Sequence, residues 1–72
     1  MAEIEATTVI RAVHELHDRT GDWPTAERIA TYLKVDQRDV QRHLLRLRRK
    51  RILVDRWRHK QRVWMDWRAG AA

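Results

Sequence analysis

The stretch TAERIATYLKVDQRDVQRHLLRLRRKRIL, residues 25–53, decides the fold. Thr25 stands where a hydroxyl can accept the free amide protons of a helix start. Behind it Ala26, Ile29, Ala30 and Leu33 recur at helical spacing, predicting a short helix to about Leu33. Lys34-Val35-Asp36 reads as a tight turn, and Asp36 opens a longer helix running to about Lys50 or Arg51. Asp36 and Asp39 are spaced as a capping box, with Asp in place of the usual Glu. Val40, Leu44 and Leu47 fall at i, i+4 and i+7 and mark the stripe this helix buries. At Ile52-Leu53 the period changes from helical to alternating.

Upstream, residues 3–19 space Ala6, Val9, Ile10, Val13, Leu16 and His17 at helical intervals with charges between them, an amphipathic helix. Asp18-Arg19-Thr20-Gly21-Asp22 breaks it, with Gly21 as the natural stop, and Pro24 forces Trp23 into an extended conformation. Downstream, residues 52–57 and 62–67 are rich in β-branched and aromatic side chains and read as two strands. Arg58-His59-Lys60-Gln61 between them is a turn. Alternation puts Val63, Met65 and Trp67 on one face and turns Trp64 the other way. Trp64 is then expected at the surface, open to a partner subunit, a sugar-phosphate contact or base stacking. Trp23, and Trp57 or Trp67, are expected to enlarge the thin core.

The predicted fold class is α+β, mostly helical: three helices and a C-terminal β-hairpin. One domain is expected over residues 1–67, with a disordered tail over 68–72.

Charge is segregated along the chain, whose net charge is +6. Residues 1–36 carry four Lys/Arg against seven Asp/Glu, while residues 37–72 carry twelve against three. Such a molecule has a directional field that presents its second half to a polyanion. There is no cysteine, which excludes disulfides and thiolate zinc sites. His14 and His17, spaced i, i+3, lack a third ligand, so no metal is expected; His43 is expected at a core boundary. With no Ser, no Cys and no glycine-rich phosphate loop, the reading is of a protein that is not an enzyme and takes no cofactor or small-molecule substrate. Met1-Ala2-Glu3-Ile4-Glu5 bears acids where a secretory signal bears bases, and no apolar run, such as Ile52-Leu53-Val54, exceeds three residues. The expectation is a soluble cytoplasmic protein with no membrane partner.

Residues 25–33, the turn, residues 40–47 and Ile52-Leu53 resemble, in this order and spacing, the winged helix-turn-helix family. The similarity covers residues 5–67. It implies that Ile29, Ala30 and Leu33 belong to a scaffold helix, that Val40, Leu44 and Leu47 line the inner side of a recognition helix at 36–51, and that Ile52-Leu53 opens a wing. Glycine is missing from the turn before the third helix and from Arg49-Lys50-Arg51 after it, so either a residue there takes a less favourable backbone geometry or the helix ends differently.

If Val40, Leu44 and Leu47 face inward, Gln37, Arg38, Gln41, Arg42 and Arg46 lie near the opposite side. Arg and Gln suit guanine and adenine edges in the major groove, which admits one α-helix. Arg38, Gln41 and Arg42, nearest the helix start, are placed for bases; Arg46 and Arg49 suit phosphates. Arg38, Arg42 and Arg46 form an i, i+4, i+8 row whose mutual repulsion a polyanion would relieve. The resemblance adds a basic wing, Arg58, His59, Lys60 and Arg62, on the backbone or in the minor groove. The expected function is sequence-specific binding of double-stranded DNA as a small transcriptional regulator, nucleoid-associated when bound, with dimerisation (a homodimer) or tandem binding supplying affinity. The alternative is a winged-helix interaction module that docks an acidic protein partner through the same face.

Overall fold

The computed structural model describes residues 4–71. Its elements are α1 (Ala6–Thr20), α2 (Ala26–Leu33), α3 (Gln37–Arg49), β1 (Leu53–Arg58), β2 (Gln61–Asp66) and α4 (Trp67–Ala71). Three helices followed by an antiparallel hairpin are the winged helix-turn-helix architecture that the sequence predicts.

The helix ends have local causes. α1 stops where Gly21 takes φ 79° and donates its N–H to the His17 carbonyl at 2.8 Å. The Thr25 hydroxyl accepts the Arg28 N–H at 3.2 Å, and the Asp36 carboxylate accepts the Arg38 N–H at 2.8 Å. The reciprocal half of the capping box does not form. Asp39 returns only its backbone N–H to the Asp36 carbonyl, at 3.1 Å, because its side chain is one methylene shorter than that of Glu. The turns without glycine carry the expected strain: Lys34 (φ 59°) follows α2 and Arg51 (φ 58°) follows α3. At the hairpin tip His59 (φ 51°) and Lys60 (φ 63°) both occupy the left-handed region. That is the type I′ geometry whose twist matches the flanking strands and which ordinarily takes Asn-Gly.

Val9, Ala12, Val13 and Leu16 pack with Ala26, Ile29, Ala30, Val40, Leu44 and Leu47 in one core that also takes in Leu53 and Trp64. In the hairpin Leu53 faces Asp66, Asp55 faces Trp64 and Trp57 faces Arg62. These six side chains share one face, and Leu53 and Trp64 turn it toward the helices. The Trp64 N–H donates to the Pro24 carbonyl at 2.8 Å and Thr25 bridges Val63, so the extended piece before α2 runs along the edge of β2.

Two expectations are corrected here. Trp64 does point away from Val63 and Met65, but it is 2% exposed and belongs to the main core. The opposite face is covered as well: Val54, Val63 and Met65 form a second cluster against Trp23 and Trp67. Residues 67–71, expected in part to be a disordered tail, form α4 instead. Its start is tied down by the Arg68 N–H on Asp66 at 2.8 Å and the Trp67 N–H on the Ile52 carbonyl at 3.1 Å. Its end is held by Arg56, which donates to the Gly70 carbonyl at 2.6 Å. Gly70 lies so close to the hairpin that a β-carbon there would run into Val54 and Met65. Ala72 lies outside the described residues.

Candidate nucleic-acid interface

The interface is built on α3. Burial of Val40, Leu44 and Leu47 (0%, 0% and 2% exposed) fixes the rotation of the helix about its axis. Gln37, Arg38, Gln41, Arg42, Arg46 and Arg49 are consequently all exposed. Among the described residues, none of the four arginines in this set is paired with an acid. His43 is half-buried at the edge of the core, with its Nδ1 enclosed and without a partner.

The wing supplies the second part. Arg58, His59 and Lys60 stand exposed at the hairpin tip, held there by the I′ turn. Arg62 is exposed too, but its guanidinium is engaged. Its Nε donates to Asp55 Oδ2 at 2.6 Å, and its Cζ lies 5.1 Å from the Trp64 ring centroid. Asp55 also accepts from Arg48 Nη1 at 3.3 Å. One carboxylate therefore straps the C-terminal turn of α3 to both strands of the wing. Partial burial pushes the Asp55 carboxyl up, but the hydrogen bonds from Arg62 and Arg48 outweigh it and hold it below the usual carboxylate range.

A second strap joins the far end of β2 to α1, where His14 Nε2 lies 3.1 Å from Asp66. The Arg68 backbone N–H, opposed by partial burial and helped by His14, lowers the Asp66 carboxyl. His17 is stacked on Trp23 at 3.7 Å between centroids and His14 meets the same ring edge-on at 6.2 Å, so both histidines of α1 serve structural contacts. Tyr32 donates to Glu15 across the α1–α2 contact, and this bond raises its phenol above the ordinary value.

The sequence reading misses Arg48, Asp55 and Arg28. Arg28, in the first turn of α2, shares a 160 Å³ cleft with Arg58 and His59 between that helix and the wing tip. The position of Arg28 three residues after the Thr25 cap is the signal that could have placed it at an exposed helix start. For Asp55, the signal is an acid at an inward-facing position of a strand whose neighbours are arginines. Trp57, on the helix-facing side but beyond the helices, is 73% exposed, so Trp67 rather than Trp57 is the aromatic that the core uses. No helix among the described residues is long and apolar enough to cross a membrane.

A helix-turn-helix domain family model matches residues 3–53, from the segment before α1 to the first residue of β1. No curated protein and no solved structure matches the chain. α2, the turn and α3 thus all fall within the matched residues, and the chain belongs to the helix-turn-helix domain family, a family of DNA-binding domains.

Proposed function

We propose that this protein binds double-stranded DNA sequence-specifically as a small transcriptional regulator in the cytoplasm, by binding and not by catalysis. α3 enters the major groove, with Arg38, Gln41 and Arg42 at base edges and Arg46 and Arg49 at phosphates. The wing, through Arg58, His59 and Lys60, lies on the backbone or in the minor groove. Arg62, engaged by Asp55, sets the wing's orientation and adds charge beside it. One domain of this size makes few contacts, so two copies on one site supply the affinity.

The observation that supports this reading most is the arginine face of α3. It is exposed, has no acid paired to it among the described residues, and stands opposite a stripe that cannot rotate away from the core. Like charges at i, i+4 destabilise an isolated helix, so a phosphate polyanion is the ligand that turns this arrangement from a cost into a gain.

The test is equilibrium binding to labelled random-sequence duplex DNA over a range of salt, followed by selection of the tightest sites. The logarithm of the affinity should fall linearly with log salt, and the selected site should outcompete random duplex by at least ~10³-fold. Salt-insensitive binding, or selection that yields no preferred site, would count against the reading.

A further inference from the structure

The outward side of α3 contains one large apolar residue. Leu45 is 42% exposed and belongs to neither buried cluster, so the core does not require it. Residues three and four positions away share its side of the helix: Gln41 and Arg42 precede it, and Arg48 and Arg49 follow. Of these, Arg48 is held toward the wing by Asp55 at 3.3 Å. A leucine thus sits within a basic, hydrogen-bonding face, where water gains nothing from it and the protein interior makes no use of it.

Of the groups that base pairs present in the major groove, the C5-methyl of thymine is the apolar one; the others are hydrogen-bond donors and acceptors. We propose that Leu45 is a specificity-determining residue that recognises thymine by packing on this methyl group, while Gln41 and Arg42 bond to the edges of adjacent bases. The proposal rests on the major-groove reading of α3 given above and adds to it a base identity and the residue that selects it. Leu45 cannot hydrogen-bond, so its preference is for the methyl group itself. It should discriminate thymine from uracil, which differ by that group alone.

The experiment selects bound sites from random duplex DNA, then replaces each thymine of the winning site in turn by deoxyuridine, for the natural protein and for Leu45→Ala. At one or two thymines the replacement should weaken the natural protein about fourfold, the worth of one buried methyl. Leu45→Ala should bind the thymine and uracil forms equally, with unchanged helical circular dichroism. Indifference of the natural protein to uracil at every position overturns the proposal, as does a Leu45→Ala protein that still discriminates. Both of those outcomes leave the major-groove reading standing, whereas failure to select any duplex site removes that reading and this proposal with it.

Discussion

Across the wing, Asp55 accepts a hydrogen bond from Arg62 at 2.6 Å while also reaching Arg48 on α3. The consequence is mechanical. Beyond the core shared by Leu53 and Trp64 with α3, this one carboxylate ties the hairpin to the end of the helix, and a ligand that touches both would meet a prearranged surface.

Replacing Asp55 by Asn should therefore loosen the wing and lower stability at neutral pH by about 1 kcal/mol or less, since the arginine partners are more than one-third exposed and screened. Because the folded carboxyl lies below its unfolded value of about 3.9, the unfolded chain binds more protons in the interval between the two. The stabilisation is complete above the unfolded value and is lost as pH falls through the folded one. The melting-temperature gap between the natural protein and Asp55→Asn should be full near neutral pH and close as the pH falls below the ordinary carboxylate range. A gap that does not vary with pH would refute the pairing.

Trp64 and Trp57 should behave as opposites despite lying on the same face of the hairpin. Trp64→Ala removes a side chain 2% exposed and should cost about 3–5 kcal/mol, close to the whole stability of a domain this small. Its helical circular dichroism should collapse. Trp57→Ala, at 73% exposed, should stay within ~0.5 kcal/mol of the natural protein. Equal effects in urea denaturation would contradict the packing described for β2.

The two tryptophans also show what is legible in the sequence. Alternation correctly assigns which side chains share a face, but it does not report whether that face is covered. Both faces of β2 are buried because Trp23, Trp67 and α4 close the second one, and α4 docks only because Gly70 lacks a β-carbon. That is a tertiary fact with no local signature. The α3 stripe is legible for the opposite reason: Val40, Leu44 and Leu47 obey one period, and burying them leaves the arginines a single direction. Missing glycines are equally readable, and Lys34 and Arg51 take up the strain. The Asp55 strap is not readable. Arg48 and Arg62 each stand seven residues from it, and it takes both the turn after α3 and the chain reversal at the hairpin tip to make them neighbours.

If the wing tip lies on the DNA backbone, changing Arg58 and Lys60 together to Ala should weaken binding alike for selected and random duplexes. The slope of log affinity against log salt should fall in magnitude by roughly 0.9 per phosphate contact removed, close to two in all. An unchanged slope would take the wing tip out of the contact surface and leave α3 to bind alone.

The central claim is that the exposed arginine face of α3 reads DNA, and the Arg38→Ala/Arg42→Ala double variant tests it most directly. Both side chains are exposed and make no contact that supports the fold, so circular dichroism and melting temperature should be unchanged or slightly improved. Affinity for the selected duplex, titrated at fixed salt, should drop to the level of random duplex or below detection. A double variant that folds normally and binds the selected site as tightly as the natural protein would contradict the account.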